Sequence, residues 1–256
     1  MRVVIKVGTS TLTYGNGNMN IRRMEILCKT ISDLMNSGLE IVFVSSGAIG
    51  LGVGKLGLKG KPSDIPSKQA AAAVGQCELM YLYDKLFQEY NHTVAQILMT
   101  GADFECEERF ENFRNTLNRL LELGALPIIN ENDTIATSEI KVGDNDTLSA
   151  ITAMGVKADM LVLLSDIDGL YTADPHTVTD ATLIPQVFEI DSKIKAIAGS
   201  KGSELATGGM ATKIHAAELC MEAGIDMVIA NGSDPQVLYD IFEGKPVGTR
   251  FVGRKK

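Results

Sequence analysis

Short apolar runs rich in β-branched residues alternate with longer segments of helical period along almost the whole chain, and no other feature leaves so few folds open. The runs Arg2 to Val7, Glu40 to Val44, Val94 to Leu98, Leu126 to Ile129, Asp159 to Leu164 and Asp226 to Ala230 are apolar nearly throughout, not at every second position. Strands covered on both faces read this way. Between them the spacing predicts a helix from about Asn20, a good N-cap, with Ile21, Met24, Leu27, Ile31, Leu34 and Met35 on one face and Gly38 as terminator. Further helices are predicted over Ser67 to Tyr90, Glu107 to Leu123, Asp144 to Met154 and near Ala211 to Ala223. A mixed segment with a turn at Asp174-Pro175, a short helix after Asp234-Pro235 and a strand near Phe251 complete the reading. The expected class is α/β, an open, mostly parallel sheet with helices on both sides. Such sheets bind ligands past the carboxyl ends of their strands, where the polar and Gly-rich segments of this chain fall.

At 256 residues, with no Ser/Pro-rich linker, low-complexity run or internal repeat, no hard domain boundary is visible. Lys plus Arg number 24 against 32 Asp plus Glu, a formal charge of −8, which argues against a nucleic-acid partner because a phosphate backbone needs a basic stripe. An anionic ligand must therefore be met by a few focused cations. Cys28, Cys77, Cys106 and Cys220 form no CxxC pair and have only three His to join them, so they read as buried thiols in a reducing cytoplasm. The start MRVVIKVGTS is too short an apolar stretch for a signal peptide, and no run approaches a membrane span. A soluble cytoplasmic protein with no membrane partner is expected.

Familiar phosphate motifs do not fit. Gly52-Val-Gly54-Lys-Leu-Gly57 matches GxGxxG in letters, but the preceding strand ends near Val44 and no acid-terminated strand follows at the required distance, so it is read as a chance match. Gly54-Lys55 is followed by Leu56 and cannot be a Walker A loop, and there is no GxSxG elbow, HExxH or HRD/DFG pair.

What remains is a set of polar clusters at strand ends. Lys6 interrupts an apolar strand; an edge lysine that snorkels to water is the ordinary explanation, but Gly8-Thr9-Ser10 just after it supplies the backbone and hydroxyls of an anion site, and local residues leave the two even. Ser45-Ser46-Gly47-Ala48-Ile49-Gly50 joins a strand to a helix, either as a Ser-capped turn or as N–H groups aimed at a ligand. Asn130-Glu131-Asn132-Asp133-Thr134 and Gly143-Asp144-Asn145-Asp146-Thr147 could each be a solvated acidic turn. Together they demand cationic partners: a ligand ammonium, a lysine or a metal. Ser165-Asp166-Ile167-Asp168-Gly169-Leu170-Tyr171 follows another strand, and Thr207-Gly208-Gly209-Met210-Ala211-Thr212-Lys213 leads into a helix. Lys213, in the first helical turn, opposes the helix dipole, which predicts an anion between it and the loop.

In that order, VIKVGTS, SSGAIG, NENDT, KVGDNDTLSA, SDIDGLYTADP and TGGMATK resemble the amino-acid kinase family, and specifically its glutamate-phosphorylating members, from Val3 to about Thr249. The resemblance implies a three-layer α/β/α sandwich with a mostly parallel central sheet. It also implies the reaction of ATP with L-glutamate to give ADP and L-glutamyl 5-phosphate, the first step of proline synthesis. On the matching positions, Lys6 and Lys213 resemble the lysines that neutralise the transferring phosphoryl group, and Asp146 the carboxylate that holds them. Ser46 with Gly47, Asn130, Asp133, Asp144 and Asn145 resemble the glutamate site. Lys6, Gly8, Ser165, Asp166 and the loop Thr207, Gly208, Gly209, Met210, Ala211, Thr212 and Lys213 are similar to the nucleotide site. Ser165 departs from the Thr of many relatives but keeps the hydroxyl.

The chemistry agrees with that implication, since a side-chain carboxylate is ionised at pH 7 and needs no catalytic base. Positioning and charge neutralisation suffice, from two lysines, backbone N–H groups and a Mg²⁺ bridging the β- and γ-phosphates. The alternatives are a kinase for another acid such as acetylglutamate, which brings no ammonium for the acidic clusters, and a sensor of the same fold without turnover, against which both lysines and Asp146 speak. The family further implies feedback inhibition by proline, a homo-oligomer (dimer or tetramer) and hand-off to glutamyl phosphate reductase. Direct Mg²⁺ ligands are not legible. One kinase domain over 1–256 is expected, with about 1–157 binding glutamate and about 158–256 binding nucleotide, and without the C-terminal PUA domain that many relatives carry.

Overall fold

The computed structural model describes residues 1–14, 18–136, 145–175, 177–199 and 209–254. In chain order the elements are β1 (Arg2–Val7), α1 (Thr9–Leu12), α2 (Ile21–Asn36), β2 (Glu40–Ser45), α3 (Ala48–Lys55), α4 (Ile65–Gln88), β3 (Val94–Met99), α5 (Gly101–Glu105), α6 (Glu107–Glu122) and β4 (Leu126–Glu131). There follow α7 (Asn145–Gly155), β5 (Met160–Ser165), β6 (Gln186–Val187), α8 (Ser192–Gly199), α9 (Met210–Glu222), β7 (Asp226–Asn231), α10 (Val237–Phe242) and β8 (Thr249–Phe251). The strands form one sheet in the order β3-β4-β2-β1-β5-β7-β8-β6, parallel throughout except where β8 runs against β7.

The sheet separates two cores, as continuously apolar strands require. Val3, Ile5, Phe43, Val162 and Leu164 pack against α2, α4 and α10 through Met24, Leu27, Ile31, Leu79, Tyr83, Phe87 and Leu238. Val4, Val42, Val44, Leu161 and Leu163 pack on the other face against α6, α7 and α9 through Phe113, Leu117, Leu148, Ala153, Ile214 and Ala217. Each fully buried Leu, Ile or Phe contributes about 1.5–3 kcal/mol, so both layers are held mainly by apolar burial. The result is the α/β/α sandwich. Because successive strand residues alternate faces, Lys6 shares its face with Val4 and is directed to the α7 and α9 side.

The predicted elements recur, some with shifted ends. Asn20 caps α2, accepting from the N–H of Arg23, and Gly38 follows the helix at a φ of 101°. The long helix α4 begins at Ile65, not Ser67, because the Asp64 side chain accepts from Ser67 N–H at 2.9 Å and Pro66 tolerates the first turn. Strand β4 continues through Asn130 to Glu131, so this polar cluster starts inside the strand. α1, α5, β6 and α8 are too short or too weakly patterned to be read from composition. Cys28 and Cys220 are buried, where desolvation raises their thiol pKa, to about 12 for Cys220; Cys77 is exposed and Cys106 intermediate, which corrects the expectation of four buried thiols.

The GxGxxG letters have a packing explanation. Gly52 lies in α3, where a Cβ would come 1.8 Å from the carbonyl oxygen of Ala71 in α4; conversely a Cβ on Gly75 would come 1.7 Å from that of Ala48. The two helices therefore touch backbone to backbone, which only paired glycines permit. Gly75→Ala should destabilise the protein by about 3 kcal/mol through overpacking and lower Tm by roughly 6–12 °C. An unchanged urea midpoint would show that the two helices separate freely.

Candidate active site

The sheet parts its connections between its two central strands. β1 is followed by β2 on one side and β5 by β7 on the other, so a crevice opens beyond the carboxyl ends of β1 and β5. There the Gly8 N–H donates to the Leu164 carbonyl at 3.3 Å, drawing the two strand ends together.

Into this crevice three elements deliver one buried charge cluster. Lys6 comes from the penultimate position of β1, Asp146 from the first turn of α7 and Lys213 from the first turn of α9. Lys6 Nζ lies 2.6 Å from Asp146 Oδ1, and Lys213 Nζ lies 3.0 Å from Asp146 Oδ2. The Thr212 hydroxyl is 2.9 Å from the same Oδ2. Asp146 has no exposed surface and both lysines are buried. Burial alone would raise the Asp146 carboxyl, but the charges of Lys6 and Lys213 and their hydrogen bonds outweigh it and hold the group below the usual carboxylate range. The negative partner that opposes Lys213 at its helix start is thus Asp146, and not only a ligand at the loop, as the sequence led one to expect. With two ammonium groups against one carboxylate, the trio keeps a net positive charge of one.

Beside the cluster lies a chain of neutral hydrogen bonds. Asn145 Nδ2 donates to Ser46 Oγ at 2.7 Å and to Asn130 Oδ1 at 3.0 Å. Asn130, nearly at the end of β4, also accepts from Glu131 N–H at 2.9 Å and donates to Gln76 Oε1 at 2.8 Å. Ser45 and the Tyr83 hydroxyl, 2.7 Å apart, fix the end of β2 from beneath. Gly47 caps α3 at a φ of 103°, a left-handed conformation that turns the backbone sharply from strand to helix and that a side chain would strain. Asp133 is partly buried, and that burial raises its carboxyl above the ordinary value, with Lys61 partly opposing the effect. Its ionised form therefore gains from a cation brought in by a ligand.

On the far side of the cluster, Gly8 leaves room over the Lys6 amine, since a Cβ there would sit 3.7 Å from Nζ. Ser165 ends β5 with its hydroxyl donating to Asp166 Oδ1 at 3.1 Å. Gly209 caps α9, and Met210, Ala211 and Thr212 form its first turn. The structure thus brings Lys6, Gly8, Ser46, Gly47, Asn130, Asn145, Asp146 and Lys213 to adjoining strand and helix ends. Asp144, Thr207 and Gly208 lie outside the described residues.

Residues 1–231 match the amino acid kinase family. The chain belongs to this family. Among curated relatives, a glutamate 5-kinase of Clostridium perfringens is 53% identical over 99% of this chain and 96% of its own length. A glutamate 5-kinase of Clostridium tetani is 55% identical over 97% and 93%, and one of Listeria innocua 50% identical over 100% and 94%. Two solved structures share the fold at 18% identity. Isopentenyl phosphate kinase of T. acidophilum has a TM-score of 0.69, covering 98% of this chain and 100% of that one. UMP kinase of Bacillus anthracis has a TM-score of 0.65, covering 99% and 96%.

Around the Lys6–Asp146–Lys213 cluster, the β2 and β4 ends lie to one side and the β5 end and α9 to the other. Sequence reasoning missed Gln76, buried on α4 and paired to Asn130. Its signal was a lone amide in the small apolar run AAAAVGQ, which carries no motif. Among the described residues no group of three or more His, Cys, Asp or Glu could hold a metal ion, and no helix is long and apolar enough to cross a membrane.

Proposed function

We propose that this chain transfers the γ-phosphoryl group of ATP to the γ-carboxylate of L-glutamate, giving ADP and L-glutamyl 5-phosphate, the reaction that opens proline synthesis. The observation that carries it is the likeness, over nearly the full length of chain and relative, to proteins named glutamate 5-kinase at 50–55% identity. The geometry supports it. A carboxylate oxygen attacks the γ-phosphorus while the bond to the β-phosphate bridging oxygen breaks, so the rise in charge falls on the transferring group and on ADP. Lys6 and Lys213, pre-oriented by Asp146 at 2.6 and 3.0 Å, meet that charge without reorganising.

The glutamate lies against the β2 and β4 ends. Ser46 and the backbone at Gly47 face its carboxylates, with Asn130 and Asn145 completing the pocket, and Asp133 faces the ammonium that its raised pKa calls for. ATP lies against Gly8, Ser165, Asp166 and the segment from Gly209 to Lys213. Mg²⁺ enters as part of the nucleotide substrate and neutralises its β- and γ-phosphates. Feedback by proline at the glutamate pocket, self-association as a dimer or tetramer, hand-off of the acyl phosphate to a reductase and a cytoplasmic location belong to the same reading, as do a glutamate-binding half over about 1–157 and a nucleotide-binding half over about 158–256.

ADP release tests the acceptor. We expect L-glutamate to support turnover and N-acetyl-L-glutamate, which offers Asp133 no cation, to support it at least about 10²-fold less well, the order set by leaving a partly buried charge unpaired. The reverse preference would overturn the assignment.

A further inference from the structure

We infer that Gln76 is a positioning residue that, together with the Glu131 backbone N–H, holds the direction of the Asn130–Asn145–Ser46 hydrogen-bond relay, so that the Ser46 hydroxyl presents its proton to the acceptor carboxylate; this rests on the glutamate-kinase reading above. The polarity follows from the donors and acceptors. The Glu131 backbone N–H, which cannot turn, donates to Asn130 Oδ1, and so the Asn130 amide nitrogen must face the other way, into the sheet–α4 interior. There it meets Gln76 Oε1 at 2.8 Å, with Asn130 2% and Gln76 7% exposed, so water is excluded as a substitute acceptor. With its nitrogen satisfied, Asn130 keeps Oδ1 on Asn145 Nδ2, which in turn donates to Ser46 Oγ at 2.7 Å. A hydroxyl oxygen that accepts this bond has its own proton left to give, and it gives it best to an anionic oxygen.

The placement of Gln76 is built into the helix packing. It is the residue next to Gly75, whose missing Cβ lets α4 close onto the Ala48 carbonyl at the start of α3, immediately after Ser46 and Gly47. The backbone contact that seats α4 thereby also fixes the distance from Gln76 to the end of β4. A residue chosen only to fill volume at this point of an otherwise apolar helix face would not need a carbonyl oxygen.

Steady-state kinetics of the full chain decide it, using Gln76→Met, which keeps length but removes the carbonyl acceptor, and Gln76→Glu, which keeps an acceptor oxygen. Gln76→Met should raise KM for glutamate roughly 10-fold, the order set by leaving a buried donor unpaired, while KM for ATP stays within about 2-fold. Gln76→Glu should recover most of that loss. An unchanged KM for glutamate in Gln76→Met, or equal changes for both substrates, overturns the inference. So does failure of both Gln76→Met and Gln76→Ala to fold while Gln76→Glu folds, which would assign the side chain to the fold alone. If the unaltered protein itself turns over no glutamate, the functional reading has failed; if it does and only the variant prediction fails, the relay is wrong and the reading stands.

Discussion

Replacing Lys213 by alanine lowers kcat by roughly 10²–10³, about 3–4 kcal/mol of lost transition-state stabilisation, and Lys6→Ala does the same. Each lysine is buried, each touches a different oxygen of Asp146, and each is held before substrate arrives. Preorganisation of this kind gives a charged donor its value, since no reorientation is paid at the moment of transfer. The two losses will not add. Both ammonium groups are oriented by one carboxylate, so removing the first already disturbs the second, and the double variant should cost far less than the product of the singles. Thermal stability separates chemistry from folding here. A variant that melts like the parent yet has lost turnover supports the role, and a Lys213→Ala protein with parental kcat would remove Lys213 from the chemistry.

The second large effect concerns Asp146 itself. Asn in its place keeps the volume but leaves two buried ammonium groups without their counter-charge, and breaking a buried ion pair from one side costs about 3–5 kcal/mol. The sign with pH follows from the lowered carboxyl. A group held below its unfolded value of about 3.8 contributes its full stabilisation above that value, and the contribution is lost as pH falls through the lower, folded value. The stability gap between parent and Asp146→Asn should therefore be full at pH 7 and narrow below about pH 4, measured by urea unfolding across the range. Asp133 runs the other way: burial raises its carboxyl, so its ionised form opposes folding above the raised value until a ligand cation relieves it. Turnover of Asp146→Asn should fall along with stability, because both lysines lose their anchor. A gap that does not change with pH would mean that the carboxyl of Asp146 is not the group that pairs the lysines.

Much of the fold was legible because its strands are buried on both faces. Continuous runs such as Ile41 to Val44 and Leu161 to Leu164 can be little else, and Lys6 stood out inside a third such run, Arg2 to Val7, for the same reason. The clusters at the strand ends were visible as clusters. Their internal division of labour was not. Asn145 and Asp146 are neighbours in sequence, yet the first turn of α7 directs one to Ser46 and Asn130 and the other to the two lysines, a separation that depends on three-dimensional helix placement. Strand order was equally hidden, because nothing local says that β1 takes β2 on one side and β5 on the other. Gln76, and the packing role of Gly52 behind its chance motif, were hidden for a related reason: each acts through a partner on another element, Asn130 and Ala71.

The central claim is that a phosphoryl group passes to the side-chain carboxylate of glutamate. Incubating the purified protein with L-glutamate, ATP and Mg²⁺ in the presence of hydroxylamine tests this directly, because an acyl phosphate is captured as a stable hydroxamate. The account predicts the γ-hydroxamate of glutamate, formed only with ATP present and lost in step with kcat in Lys6→Ala and Lys213→Ala. No hydroxamate from glutamate, with product from a different acid, would contradict it.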